Sequence, residues 1–328
     1  MKKQVSSNKP SVLVVGSSNT DLIIKAARIP KPGETILGGE FFRAAGGKGA
    51  NQAVAAARAG GAVTFIARLG RDGEGDQALA GFVAVGINVK HVIRDPVDPS
   101  GVALIIVGNG GENSIAVAAG ANDKLNPGDV RKAKAAFRRA RIVLLQLETP
   151  LATVMTSAEL ACAQGTLVVL NPAPARPLPA RLLRAVYLLT PNESEAEQLT
   201  GVTVDNETTA AKAAGKLLAR GAQNVIITMG FRGALVAGKC IRHMIPGFKV
   251  NAVDATGAGD VFNGALVVAL ADGQPLLEAA RFANAAAAIS VTRFGAQPSA
   301  PTREEIQAVL VTGKVSAGSG APRQNNPV

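Results

Sequence analysis

The run Asp254-Ala255-Thr256-Gly257-Ala258-Gly259-Asp260 places a carboxylate directly behind a glycine-rich turn, and a mainly apolar segment, Val261 to Leu266, follows it. Small residues let a backbone turn come close to a ligand, and a helix beginning there offers unpaired N–H groups to whatever lies in front. Such a terminus attracts phosphate. A carboxylate in the same turn would repel that anion, and two readings of Asp260 resolve the conflict. Either Asp260 caps the helix, or it faces a neutral hydroxyl and takes its proton while the amides of Gly257, Ala258 and Gly259 hold a phosphoryl group. A base of that kind contributes on the order of 10² to 10⁴ in rate, with positioning and charge stabilisation carrying most of phosphoryl transfer. The turn is neither a Walker A loop, which needs Gly-x-x-x-x-Gly-Lys-Ser/Thr, nor a dinucleotide fingerprint.

Other polar residues gather where short apolar runs end: Gly16 to Asp21, Gln146 to Glu148, Asn171 to Ala175, Thr190 to Asn192 and Thr228 to Gly230. In open parallel sheets, ligands collect at the carboxyl ends of the strands. Each of these residues also has a plain local reading. Asn19 and Asp21 suit an Asx-type turn, Lys48 a solvated side chain, Glu148 the start of a helix, and Asn192-x-x-Glu195 a capping box.

The elements that must position them follow from periodicity. Amphipathic segments 50–59, 74–85, 130–139, 151–163 and 208–219 read as helices. They alternate with the short apolar runs 12–15, 63–67, 91–94, 142–146, 166–170, 186–189 and 225–228. Continuous apolar strands between helices predict an α/β fold, a three-layer αβα sandwich on a mostly parallel sheet. Two stretches break the rhythm. Leu22 to Phe42 alternates like strand and is rich in Pro and Gly, while 101–118 reads as a hairpin turning at Gly108 to Gly111. These predict a small antiparallel β lid, from about 18–44 and 101–119. From Ala258 to about Leu310 the chain reads as mostly helical. One domain is expected over 11–312, with disordered tails at 1–10 and 313–328.

Composition excludes several classes. The net charge of +11 is spread between the polar ends and the group Arg131, Lys132, Lys134, Arg138, Arg139 and Arg141. That group fits a solvated helix face, and without Trp or aromatic–basic interleaving no nucleic-acid partner is expected. Cys162 and Cys240 have no metal-ligand spacing and read as buried free thiols of a reducing compartment. No apolar run reaches the ~20 residues of a membrane span. No membrane association is expected, and cytoplasm is the default location.

Asp254 to Gly264 resembles the C-terminal signature of the ribokinase/phosphofructokinase-B family of sugar kinases. Gly46-Gly47-Lys48-Gly49-Ala50-Asn51-Gln52-Ala53-Val54-Ala55 resembles its N-terminal signature. The resemblance runs from about Val12 to Leu310. It implies ATP-dependent phosphorylation of a small free sugar, D-ribose at its 5-hydroxyl, with Asp260 as general base. Sugar contacts are then implied for Asn19, Asp21, Gly46, Gly47, Lys48, Asn51 and Glu148. Asn192 and Glu195 would lie near phosphate and Mg²⁺, Thr228, Gly230 and Gly233 along the nucleotide channel, and Asn284 near the adenine or its ribose. A monovalent cation, K⁺, is implied at Asp254, Thr256, Ser290, Arg293, Gly295 and Ser299, and a homodimer through the lid. Ala45 is smaller than the side chain the family pattern carries there, which would widen the sugar pocket. Deoxyribose, fructose, a 2-keto-3-deoxy sugar acid or a nucleoside remain alternative acceptors, and a non-catalytic sugar- or nucleotide-binding regulator the alternative class.

Overall fold

A computed structural model describes residues 9–110 and 112–315. Residues 1–8 and 316–328, expected as tails, lie outside the described residues. The first part of the chain runs β1 (Ser11–Val15), β2 (Asn19–Ala26), β3 (Glu40–Gly46), α1 (Lys48–Arg58), β4 (Ala62–Gly70), α2 (Gly73–Ala84) and β5 (Asn88–Asp95). There follow β6 (Gly101–Gly108), β7 (Asn113–Ala118), α3 (Pro127–Lys132), α4 (Lys134–Arg139), β8 (Ile142–Leu145), α5 (Leu151–Ala163), β9 (Leu167–Leu170), α6 (Ala180–Ala185) and β10 (Leu188–Leu189). The last part comprises α7 (Glu193–Thr200), α8 (Glu207–Ala219), β11 (Asn224–Thr228), β12 (Gly233–Gly238), β13 (Ile241–Pro246) and α9 (Ala258–Ala271). It ends with α10 (Leu276–Ser290), α11 (Ala296–Ser299) and α12 (Arg303–Thr312).

Nine strands form one sheet in the order β13-β12-β11-β10-β9-β8-β1-β4-β5. The pairings from β11 to β5 are parallel, and β12 and β13 add an antiparallel edge. Strand alternation sends side chains to two separate cores. Val12, Val14, Ile142 and Leu144 pack with α1, α9 and α10, whereas Leu13, Val15, Val143 and Leu145 pack with α5, α6 and α8. This is the expected three-layer sandwich. From β1 the chain builds outward to β4 and β5, then returns to β8 on the other side of β1. The gap between the carboxyl ends of β1 and β8 is therefore a topological switch point, where ligand crevices form.

The lid is a four-stranded sheet ordered β3-β2-β6-β7. Its outer pairs, β2–β3 and β6–β7, are antiparallel, and the two join through a parallel β2–β6 pairing. Residues 27–39 separate β2 from β3 as a loop, so the alternation expected through Phe42 is interrupted. The basic segment 130–139 is two short helices rather than one, broken at Ala133, whose small buried side chain sits at the bend. Cys162 and Cys240 are exposed, contrary to the buried thiols expected. The former ends α5 on its outer side, and the latter sits in the β12–β13 turn. That hairpin was itself unmarked in the sequence reading.

Candidate active site

Two helix N-termini converge on the switch point. Helix α1 starts after Gly47, whose φ of 85° is open to glycine; a β-carbon there would lie 2.7 Å from the Asn19 nitrogen. The tight turn seats α1 against the end of β1, with the Ala50 amide donating to the Ser17 carbonyl at 2.8 Å. Glu148, beyond β8, closes the gap from the other side. Its Oε2 accepts from the Ser17 hydroxyl at 2.6 Å and from the Lys48 amide at 2.9 Å. A carboxylate at this helix end is electrostatically favoured. Glu148 does not start α5, which begins at Leu151.

Helix α9 begins after Gly257, a left-handed residue that makes no side-chain cap. Asp260 lies in the first turn rather than at the cap. The capping reading is set aside by this geometry. Its carboxylate is buried and accepts from Asn51 Nδ2 at 3.0 Å and from Gln52 Nε2 at 2.9 Å, both on α1. Burial pushes the Asp260 carboxyl above its ordinary range; Lys48 and the two amides pull against that rise and Glu148 adds to it. The space before Gly259 is open, with nothing within 4 Å of where a β-carbon would stand.

The lid supplies the third wall. Asn19 pairs with Gly46 and Asp21 with Ala44 across β2 and β3, which places Asn19 and Asp21 on one face. A β-carbon on Gly46 would lie 2.2 Å from Asp21 Oδ1, so only glycine leaves the carboxylate its place. Burial, then the charges of Glu148 and Asp260, push Asp21 up to about 6. Asn122 donates to Asn19 Oδ1 at 2.8 Å and accepts from the Ser18 amide at 2.9 Å, holding the start of β2. A cleft of about 710 Å³ opens here, lined by Asn19, Asn122, Asp123, Glu148, Pro174 and Arg176. Ala45, with Thr20, Arg43, Glu74 and Phe82, instead borders a cavity of about 90 Å³ toward α2. Its pairing with Thr20 puts it on the alternate face from Asp21, although Asn19 and Ala44 border the same cavity.

Toward α7, Asn192 and Glu195 form the capping box that their spacing also allows. Glu195 accepts from the Asn192 amide at 2.9 Å and from Asn192 Nδ2 at 3.1 Å. Burial raises the Glu195 carboxyl, opposed by the Asn192 amide and Lys48 and aided by Asp260. Lys48 thus lies within electrostatic reach of Asp260, Glu148 and Glu195. Burial disfavours its ammonium, but those three carboxylates outweigh burial and hold its pKa above the usual lysine value. Thr228 ends β11 beside Asn192, and the strand leads into Gly230. Gly233 and Asn284 meet at the end of β13. The Asn284 amide donates to the Ile245 carbonyl at 3.3 Å, and a β-carbon on Gly233 would strike the same oxygen.

Beside the Gly257 turn, Asp254 accepts from the Thr256 amide and the Gly295 amide, each at 2.8 Å. Burial would raise this carboxyl, but those bonds hold it below the ordinary range. The carboxylate therefore ties the 254–256 loop to the loop before α11. The hydroxyls of Ser290 and Ser299 donate to main-chain carbonyls of Ala287 and Ala296. The Arg293 guanidinium is turned onto Glu305.

The model of the pfkB family carbohydrate kinases matches residues 9–303. The chain belongs to that family. It is 46% identical over 297 residues to the ribokinase of Haemophilus influenzae, covering 90% of this chain and 97% of that one. It is 41% identical to the ribokinase of Staphylococcus aureus, covering 91% and 99%. Among solved structures, Arabidopsis thaliana ribokinase complexed with ribose and ATP superposes with a TM-score of 0.86 at 33% identity, covering 92% of this chain and 99% of that one.

As a carbohydrate kinase of this family, the chain brings Asp21, Lys48, Asn51, Glu148, Glu195 and Asp260 into one electrostatic cluster. Thr228, Gly230, Gly233 and Asn284 form a separate stretch along the β11–β13 edge. The sequence reading did not single out Gln52, Asn122, Asn263 and Gln297, whose side chains hydrogen-bond to Asp260, Asn19, the Gly259 carbonyl and Asn51. Gln52 had a visible signal, since it adjoins Asn51 at the start of a helix. Gln297, which donates to Asn51 Oδ1 at 3.2 Å, lies 246 positions away and had none.

Proposed function

We propose that the protein is an ATP-dependent ribokinase, transferring the γ-phosphoryl group of ATP to the 5-hydroxyl of D-ribose to give ribose 5-phosphate and ADP. The observation that carries this reading is the placement of Asp260. Its carboxylate lies in the first turn of α9, directly after the Gly257-Ala258-Gly259 amides, and is held by Asn51 and Gln52 of α1, with Asp21 and Glu148 in electrostatic reach and Asn19 beside Glu148 at the cleft. Carboxylates and amides in that number match a polyol, whose hydroxyls donate, and a site so built rejects analogues that lack one hydroxyl. Asp260 takes the proton of the attacking hydroxyl, and the amides of Gly257, Ala258 and Gly259 stabilise the migrating group. The lid excludes water, so that ATP is not hydrolysed instead.

Asn192 and Glu195 are the residues that would meet Mg²⁺. Among the described residues no group of three or more His, Cys, Asp or Glu side chains is arranged to hold a metal. That suits an ion carried on the nucleotide phosphates and reached by one or two side chains, Glu195 acting through water while its capping bonds persist. When bound, Mg²⁺ neutralises charge between the β- and γ-phosphates. K⁺ would lie among Asp254, Thr256, Ser290, Arg293, Gly295 and Ser299, mainly on main-chain oxygens, and would set the shape of the adjoining Gly257 turn. Among the described residues no helix is long and apolar enough to cross a membrane.

ADP release from ATP–Mg²⁺ tests the reading, with ribose, deoxyribose and fructose as acceptors, in K⁺ and in Na⁺. Ribose-dependent turnover in the parent that falls about 10² to 10⁴-fold in Asp260→Asn, with sugar affinity little changed, is the expected result. Turnover retained in that variant would remove Asp260 from the role of base.

A further inference from the structure

Gln52 is fully buried, and every hydrogen-bonding position of its amide that points inward is in use. Its Oε1 accepts from Gln146 Nε2, and its Nε2 donates to Asn171 Oδ1 at 3.0 Å and to Asp260 Oδ1 at 2.9 Å. Nε2 carries two hydrogens, so its donors are spent. Asn171 Nδ2 in turn donates to the main-chain oxygen of Thr190 at 2.9 Å. A main-chain carbonyl can only accept. Asn171 must therefore turn its Oδ1 toward Gln52, and Gln52 must answer with Nε2. The orientation of two amides is set by one strand-end carbonyl, and the consequence reaches Asp260, whose Oδ1 always meets a donor.

Thr190 fixes the neighbouring turn as well. Its hydroxyl donates to Asn263 Oδ1 at 2.6 Å, which leaves Asn263 Nδ2 to bind the Gly259 carbonyl at 2.8 Å. The carboxylate of Asp260 and the turn before it are thus referenced to the same residue at the end of β10. The two oxygens of Asp260 are not equivalent. Oδ1 is held by Gln52, which has no exposure, and Oδ2 is met by Asn51, which is 8% exposed.

Resting on the kinase reading above, we propose that Gln52 is a positioning residue that tethers Oδ1 of Asp260, so that Oδ2 is the oxygen receiving the hydroxyl proton. In the step, the sugar O–H bond breaks as the new O–P bond forms, and the proton passes to Oδ2. The bond from the γ-phosphorus to the bridging oxygen of ATP breaks, its electron pair leaving with ADP. Without the tether the carboxylate can rotate, and it loses a donor that favours its charged form. The charged groups facing Asp260 are Lys48 from α1, Glu148 beyond β8, Asp21 from β2 and Glu195 from α7. They are unchanged in the variants below.

The test compares the full chain with Gln52→Met, which keeps length and removes the donor. Single-turnover rates with ribose and ATP–Mg²⁺ are followed from pH 5 to 9, with KM for ribose alongside. The expected result is a fall in the rate constant on the order of 10-fold with KM within about three-fold. The acid limb should move upward by about half to one pH unit. A purely structural role would lower the rate at every pH and leave the limb in place. A folded Gln52→Met protein with the parent's limb and a rate within two-fold overturns the inference. Should that variant not fold, Asn171→Ala frees the Gln52 amide to turn over and gives the same reading, and an unmoved limb there overturns it too. A parent without sugar-dependent ADP release at any pH overturns the kinase reading and this inference with it; an active parent with unshifted variants overturns this inference alone.

Discussion

Gly257 and Ala296 touch at the turn that precedes Asp260: a β-carbon on the glycine would lie 2.7 Å from the alanine methyl carbon. Gly257 also has φ of 72°, in the left-handed region. Both conditions penalise any side chain at this position. The short helix α11 is thereby a back wall for the Gly257 turn, and Asp254 fastens the two loops together through its bonds to Thr256 and Gly295.

Gly257→Ala is expected to lower stability by about 1 to 3 kcal/mol, from left-handed strain and overpacking together. The rate should fall at least tenfold, because the amides shift by a fraction of an ångström from the phosphoryl position. Urea unfolding and ADP release check the two effects separately. Loss of stability with a normal rate would mean that the turn does not hold the phosphoryl group.

Lys48 supplies positive charge to Asp260, Glu148 and Glu195. Lys48→Met leaves these carboxylates facing one another. Asp260 should then titrate higher, and the acid limb of the rate should rise by about one pH unit. The rate at neutral pH should drop on the order of 10²-fold, since a cation beside the transferring group is also lost. An unchanged limb would show that Lys48 does not act on Asp260.

Much of the architecture was legible because buried parallel strands leave an unmistakable trace. Val12 to Val15, Ile142 to Leu145 and Val225 to Thr228 are short apolar runs, and all three are strands. The β12–β13 hairpin left such a trace only in its first strand, Gly233–Gly238. Its second strand, Ile241–Pro246, carries Arg242 and His243 in mid-strand, as an edge strand can, and this hid it. The glycine turns before Asp260 and Lys48 were legible because close approach demands small residues in a row. The Gln52 network was not. Its bonds to Asn171 and Asp260 span 119 and 208 positions, and an amide's partners are decided by the sheet that brings strand ends together, not by local spacing.

Asp21 gives the chain a pH dependence of definite sign. Its pKa is raised to about 6 by burial and by Glu148 and Asp260, against an ordinary value of about 3.9. A carboxyl raised on folding contributes stability when protonated, and that contribution is lost as pH rises from about 4 through about 6. The sugar-free protein should therefore gain part of its stability on acidification over this window. Asp21→Asn should lack that gain. The sugar side runs the other way, because an ionised carboxylate accepts hydroxyl donors on both oxygens while a protonated one keeps only part of that capacity, so KM for ribose should climb below about pH 6. Melting temperature and KM between pH 4.5 and 7.5, in parent and Asp21→Asn, check both. Parallel curves for the two proteins would mean that Asp21 does not titrate there.

The lid exposes apolar side chains on both of its faces. Ile24, Phe41 and Leu104 lie on one, and Phe42, Ile115 and Val117 on the other. The second face is continuous with Asn19 and Asp21, and Phe42 and Ile115 are exposed on it. A flat apolar sheet left in water is an association site. The expected occupant is the lid of a second copy, which would also stiffen the cover of each cleft. Sedimentation of the parent should give twice the chain mass of 33.3 kDa. Phe42→Glu with Ile115→Glu should give the single mass and raise KM for ribose several-fold, since a burdened lid closes less often. Phe41→Glu with Leu104→Glu, on the far face, should leave the mass doubled. A parent that sediments as one chain at micromolar concentration would end the dimer proposal, and a doubled mass in the Phe42/Ile115 variant would move the interface off this face.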